Sequence, residues 1–401
     1  STFPRGRDTA SALGTRWALL RMRDRLPLHP RLARVNAKPP RTPIERFAAV
    51  IPAGGVGSRL WPLSQPDRPK FLLDLLGSGR TLLQATVDRL EPLADHVIVV
   101  TGARHADAVA QQLPDLAPEE ILAEPSPRDS MAAIGLAAAV LEARHGPMIM
   151  GSFAADHVIP DADAFRATVR AAVDAAREGA IVTLGIEPTG PSSAFGYIEA
   201  GEALSGSGGA RRVLAFTEKP TQEVAAGFLE RGGYYWNAGM FVTRTNVLLG
   251  HLDRLQPALA TGVRELAAMW DRPERADALE RLWPTLTKIA IDHAIAEPVA
   301  AAGGIAVVPA PFQWDDLGDF DSLAALVPPR TDSGAVVNRT EPTVFDSSHG
   351  SLVIGGDKPV VLIGLDDVVV VDTPEALLVV SRASAQRVKD AAGAVEDARR
   401  T

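Results

Sequence analysis

The stretch from Phe47 to Leu73, FAAVIPAGGVGSRLWPLSQPDRPKFLL, constrains this chain more than any other. It opens with an apolar run, Phe47 to Ile51, of the length and flanks of a buried strand. Pro52-Ala53-Gly54-Gly55-Val56-Gly57 then breaks any regular pattern. Three glycines in four positions allow positive φ and leave no Cβ in the way of a ligand. Arg59 follows at once, and Lys70 comes after it in the same stretch. A strand, a glycine loop and fixed cations make a site for a polyanion, most simply a nucleoside triphosphate. Two nucleotide motifs are excluded. Leu60 stands where a dinucleotide-binding loop needs its third glycine, and no Gly-Lys-Ser/Thr closes the loop as in a P-loop. Taken alone, the loop is equally a glycine turn with surface cations.

With 401 residues, 46% of them apolar, the chain can bury a sizeable core as one large or two modest domains. No apolar run approaches the ~20 residues that span a bilayer, so no membrane partner is expected. Cysteine is absent. That excludes disulfides, thiolate zinc sites and a cysteine nucleophile, and it fits a cytoplasmic protein. The net charge of −8 is uneven: residues 1–41 carry a local +8, which leaves −16 for the rest. An acidic body argues against nucleic acid as a partner. The Arg- and Pro-rich start reads as a basic, disordered extension over 1–44 without an assigned function.

From Phe47 to about Ala300, apolar runs alternate with helix-length stretches. The strand candidates are Ala48–Ile51, His96–Thr101, Met148–Phe153, Ala180–Gly185, Tyr197–Ala200, Arg212–Glu218 and Gly239–Val242. Helices are expected over Thr81–Leu90, Asp129–Ala143 and Ala162–Glu178. This alternation predicts an α/β domain over 45–330, a mainly parallel, Rossmann-like sheet with helices on both faces. Ligands in such sheets bind beyond the carboxyl ends of the strands, where the glycine loop falls. From Gly334 to Val380 short Val/Ile runs recur without an intervening helix. Residues 331–401 therefore read as a small β-rich, β-helix-like C-terminal domain that ends in a helix over Ser384–Arg399.

Two acidic segments follow strand positions. Asp156, in Ala154-Ala155-Asp156-His157, lies at the carboxyl end of a central strand. A carboxylate there can hold Mg²⁺, a hard cation that prefers oxygen ligands; it can equally cap the next helix. Asp316 lies in Trp314-Asp315-Asp316-Leu317-Gly318, which is otherwise read as a turn. Lys219, in Phe216-Thr217-Glu218-Lys219-Pro220, ends a strand just before a proline and can meet a phosphate as a point charge. Asn237, in Tyr235-Trp236-Asn237-Ala238-Gly239-Met240, can both donate to and accept from sugar hydroxyls. Ser130 or Asp129, after Glu124-Pro125-Ser126-Pro127-Arg128, can cap an Ala-rich helix.

Gly-Gly-x-Gly-x-Arg-Leu-x-Pro-Leu-Ser followed by Pro-Lys-Phe-Leu resembles the signature of the sugar-1-phosphate nucleotidyltransferases. The Arg59-Leu60-Trp61-Pro62-Leu63-Ser64 variant is most similar to the mannose-1-phosphate guanylyltransferases. The resemblance covers roughly residues 47–380 and implies Asp156 and Asp316 as metal ligands for Mg²⁺, with Arg59 and Lys70 as the other catalytic groups. It implies Ala53, Gly54, Gly55, Gly57 and Ser130 near the nucleotide. Gly196, Glu218, Lys219, Asn237 and Asp292 fall in its sugar-phosphate segments. Two departures stand out. Asp129-Ser130-Met131 replaces the usual Asn-Thr-Ala, and Pro69-Lys70-Phe71-Leu72 lacks a common glutamine after the lysine.

The reaction this implies is GTP + mannose 1-phosphate → GDP-mannose + pyrophosphate. A phosphate oxygen attacks the α-phosphorus in line, so positioning and charge neutralisation carry the catalysis. Two alternatives stay open. One is a sister enzyme joining UTP, dTTP or ATP to glucose 1-phosphate. The other is a regulatory subunit that binds sugar nucleotides without turnover, which the joint presence of Arg59, Lys70, Asp156 and Asp316 disfavours. A homodimer is the candidate assembly.

Overall fold

The computed structural model describes residues 42–329 and 334–400; the basic stretch over residues 1–41 lies outside them. Nine strands form the main sheet among these residues. They are β1 (Phe47–Ala53), β2 (His96–Gly102), β3 (Ile121–Glu124), β4 (Ile149–Ser152), β5 (Ile181–Ile186), β6 (Tyr197–Ala203), β7 (Arg211–Thr217), β8 (Tyr234–Arg244) and β9 (Ile305–Ala310). Their order is β3-β2-β1-β4-β8-β5-β9-β7-β6, and β8 also pairs with β6. The sheet is parallel where strands alternate with helices, from β3 to β4 and again between β5 and β9. Strand β8 enters antiparallel between β4 and β5, so one long strand joins the two parallel parts.

Helices α1 (Leu82–Leu90), α2 (Ala106–Gln112), α3 (Asp129–His145) and α4 (Ala162–Arg177) belong to the first part. Helices α5 (Gln222–Arg231), α6 (Thr245–Leu255), α7 (Pro257–Met269), α8 (Arg275–Leu282), α9 (Glu297–Ala301) and α10 (Phe320–Leu326) follow. Strand β1 shows why both faces are covered: Ala48 and Val50 join one core, while Phe47, Ala49 and Ile51 join the other. Successive side chains of a strand point to opposite faces, so an unbroken apolar run is buried on both. Met131 to Leu141 of α3 are buried all round, because α3 lies between the sheet and the pair α6 and α7.

Two strands of this sheet carry weak local signals. Strand β3 has four residues, and β9 contains Pro309. The proline is tolerated because β7 pairs only with Ala306 and Val307 of β9, so no partner on that side needs the missing N–H.

The C-terminal part is a β-helix-like stack. Strands β10 (Gly334–Val337), β12 (Ser351–Gly355) and β14 (Val368–Asp372) pair in parallel, and β15 (Leu377–Ser381) closes them antiparallel. Strands β11 (Thr343–Asp346) and β13 (Val360–Ile363) form a second face. Each rung advances by one fixed step, with Gly334 opposite Ser351, Thr343 opposite Val360 and Leu352 opposite Val369. The terminal helix begins later than the sequence suggests: a 3-10 stretch over Arg382–Arg387 precedes α11 (Val388–Arg400).

Candidate active site

The glycine loop leaves the carboxyl end of β1, which Thr101 braces by donating from its hydroxyl to the Ala53 carbonyl (2.8 Å). Of the three glycines, only Gly57 adopts positive φ, at 77°. A Cβ there would lie 2.9 Å from the Lys70 side chain, so the glycine is what lets Lys70 cross the loop. Gly54 and Gly55 are exposed, and a Cβ on either would meet open space. The Lys70 amide donates to the Val56 carbonyl (3.1 Å), and the Ser64 hydroxyl donates to the Gly57 carbonyl.

Lys70 is the centre of the site. Its Nζ lies 2.9 Å from Asp156 Oδ2 and donates to the backbone carbonyls of Asp316 (2.7 Å) and Leu317 (3.3 Å). Both members of the ion pair are largely shielded, with side chains 11% and 20% exposed. One cation thus ties together three segments that are far apart in the chain. The Trp314–Gly318 segment is held against the segment after β4 by a two-way backbone bridge between Val158 and Asp315 (2.9 and 3.1 Å). The Asp315 carboxylate accepts from the Leu317 amide (2.7 Å), so it shapes the turn. Burial raises the Asp316 carboxyl above the ordinary aspartate range; Lys70 opposes that rise and the nearby Asp156 charge adds to it. His157 sits edge-on to Trp314 at 5.2 Å, and burial lowers its pKa to about 4, so it is a neutral packing group.

Arg89 of α1 was not singled out from the sequence, yet it holds the Asp156 loop. Its guanidinium donates to the His157 carbonyl (3.1 Å) and to Thr86 Oγ1 (2.9 Å), and Thr86 in turn donates to the Ala155 carbonyl (3.4 Å). Burial lowers its pKa to about 10, which still leaves it charged. An arginine in register with Leu82, Leu83, Thr86 and Leu90 on the buried face of the helix was the available signal.

Arg59 stands apart from this knot. It is exposed, makes no hydrogen bond or ion pair among the described residues, and lines a cavity of about 750 Å³ together with Asp315 and Asp316. A second, polar cleft of about 170 Å³ lies on the other side of Trp314 and Asp316. Gly196, Glu218, Lys219, Asn237 and Asp292 all line it. Asn237 Nδ2 donates to Asp292 Oδ1 (2.7 Å), and its Oδ1 accepts from Thr183 Oγ1 and the Gly239 amide, both at 3.1 Å. Lys219 Nζ pairs with Glu218 Oε1 at 2.8 Å. Lys219 holds positive φ, 45°, a conformation uncommon for a side-chain-bearing residue. A Cβ at Gly196 would overlap the Glu218 carboxylate, so the glycine makes room for it. Burial, and then the Glu218 charge, push the Asp292 carboxyl up.

Ser130, expected near the nucleotide, also has a role within the fold. Its Oγ accepts from the Ile291 amide (2.9 Å), and the Met131 amide donates to the Ile289 carbonyl (3.1 Å). It therefore anchors the start of a π-helical turn, Asp292–Ala296, which carries Asp292 into the cleft. Among the described residues no cluster of three or more His, Cys, Asp or Glu gathers around a metal position. Asp156 and Asp316, close enough for the one charge to raise the other's carboxyl, are the two carboxylates here that could hold a metal. That pair suits a hard cation that completes its shell with water and phosphate oxygens.

A family model described as nucleotidyl transferase matches residues 48–331. The chain belongs to this family. A second model, described as a MannoseP isomerase/GMP-like beta-helix domain, matches residues 343–392 of the nucleotidyl transferase. A mannose-1-phosphate guanylyltransferase of Escherichia coli (strain K12) is 37% identical over 352 residues, 85% of this chain and 71% of that protein. The xanthan biosynthesis protein XanB of Xanthomonas campestris pv. campestris (strain B100) is 36% identical, over 88% of this chain and 74% of its own. A crystal structure from Thermus thermophilus, described as a mannose-1-phosphate geranyltransferase, is 30% identical with a TM-score of 0.77. It covers 88% of this chain and 99% of that one. No helix among the described residues is long and apolar enough to cross a membrane.

Proposed function

We propose that this nucleotidyl transferase joins GTP to mannose 1-phosphate, releasing pyrophosphate and giving GDP-mannose. The observation that carries this is the knot at Lys70, where the glycine loop, Asp156 and the Asp316 turn meet over 2.7–3.1 Å contacts. The names of the relatives supply the substrates. Arg59 and the loop amides at Gly54 to Gly57 hold the triphosphate beside the larger cavity. Lys219, in the polar cleft, holds the sugar phosphate, and Asn237 and Glu218 take its hydroxyls. The two clefts share Trp314 and Asp316 as a wall. Substrates in them bring a phosphate oxygen and the α-phosphorus together at Asp316.

The nucleophile is already ionised, so no general base is needed, and catalysis rests on alignment and charge neutralisation. The family generally uses a divalent metal, and we read it here as Mg²⁺ held by Asp156 and Asp316. Bound there, it would neutralise charge on the reacting phosphates. Lys70 aims Asp156 through their 2.9 Å ion pair, and itself adds positive charge at the reacting phosphate.

The test is pyrophosphate release by the purified chain across four NTPs and several sugar 1-phosphates. The expected result is strongest turnover with GTP and mannose 1-phosphate, abolished by EDTA. A stronger rate with another pair moves the substrate assignment and leaves the site. Lys70→Ala is expected to lose on the order of 10²-fold in kcat. A loss below tenfold removes Lys70 from the reacting centre.

A further inference from the structure

One apolar cluster packs beneath the loops that carry Arg59, Asp156 and Asp316, and Leu73, which ends the Lys70 turn, packs against it. Leu60, beside Arg59, is fully buried in it; so is Leu317, beside Asp316; and Val158, two residues from Asp156, is nearly so. The other side of the cluster belongs to the C-terminal β-helix domain, including Leu352, Ala385 and Val388. Helix α11 packs directly on the 3-10 turn Ser58–Leu60, which carries Arg59. Val388, the first residue of that helix, is 2% exposed. The Arg59 side chain has no polar partner of its own among the described residues, so the packing of Leu60 is what fixes the direction in which the guanidinium leaves the turn.

We infer that Val388 is a positioning residue for Arg59. The C-terminal domain sets the reach of the triphosphate-binding cation by packing beneath Leu60. This rests on the proposed role of Arg59. A side chain on a three-residue turn with no hydrogen-bonded brace moves when its neighbour's packing is relaxed. A displacement near 1 Å at a reacting centre costs up to about 10²-fold in rate.

The experiment is steady-state kinetics on the full chain with GTP and mannose 1-phosphate for V388A, V388I, V353A, R59A and the double variant R59A/V388A. Val353 is the control. It is fully buried in the same domain but in a separate small cluster with Leu362 and Val370, away from the loops. V388A is expected to lower kcat roughly tenfold, with KM for mannose 1-phosphate unchanged and V388I restoring most of the rate. V353A is expected to lower the melting temperature without that loss of kcat. In the R59A background V388A should cause no further loss, because coupled residues are not additive. An additive loss in the double variant, or an equal loss in V353A, overturns the proposal. If R59A loses turnover while V388A keeps it, positioning alone fails. If R59A keeps its turnover, the reading of Arg59 falls, and this inference with it.

Discussion

Glu124 closes β3 with a carboxylate that burial alone raises from 4.5 to about 7. Between those values the folded chain keeps a proton that the unfolded chain releases. Its contribution to stability is therefore full below pH 4.5 and fades as pH rises toward 7. At ~1.4 kcal/mol per pH unit the effect amounts to about 3 kcal/mol. Glu124→Gln is expected to flatten this dependence and to stabilise the chain at pH 8. Urea midpoints at pH 5 and pH 8 check it; an unchanged difference between the two would place the dependence elsewhere. Gly196 argues the opposite way, from shape. A methyl there displaces the Glu218 carboxylate, so Gly196→Ala is expected to lower kcat/KM for the sugar phosphate on the order of tenfold. Saturation kinetics with a matched melting curve separate this from misfolding. Much of this detail was legible in the motifs, because Lys70, Asp156 and Asp316 are named by their neighbours. Arg89 was not, since its importance comes from the His157 carbonyl, 68 residues away in the chain. Gly54 and Gly55 look like Gly57 in sequence, yet only Gly57 is required by the fold itself.

The π-helical turn Asp292–Ala296 shows how an element, and no single contact, places a functional group. One extra residue in the turn swings Asp292 toward Asn237, and Ser130 holds the amide of Ile291, just before the turn. Ser130→Ala leaves that Ile291 N–H without its acceptor, at a cost of about 1–3 kcal/mol. The expected kinetic signature is a KM for mannose 1-phosphate that rises more than the KM for GTP, because the turn borders the polar cleft. A larger rise for GTP would return Ser130 to the nucleotide. No local pattern distinguishes such a turn from ordinary helix, so the sequence reading took Asp292 and Ser130 as separate features. Strands followed the same logic. Those with clean apolar runs, such as β1, β2 and β5, were found at nearly their observed bounds. Four-residue β3 and β11 and proline-bearing β9 were not, since their identity as strands comes from neighbours that pair with them. The antiparallel entry of β8 is likewise set by its partners and not by its own residues.

At the scale of the whole molecule, the β-helix domain and the catalytic sheet share a core. Val158, Leu317 and Phe320 pack with Leu352, Val369 and Val371 in one buried cluster. The β-rich character of the tail was readable from its Val/Ile runs. Its packing partner was not, because a β-helix rung shows the same apolar residues whether it covers a loop or another rung. Sharing a core has a thermodynamic consequence: neither part can lose its packing without exposing apolar surface on the other. Unfolding is therefore expected to be a single cooperative transition. Leu352 is fully buried in the shared cluster, and truncating a buried leucine to alanine costs about 2–5 kcal/mol. Leu352→Ala should move the whole transition to lower temperature and keep it single. Calorimetry of both proteins checks this. A variant trace that splits into an early, small transition and a late one at the original temperature would mean that the tail melts alone, and that the catalytic loops draw little stability from it.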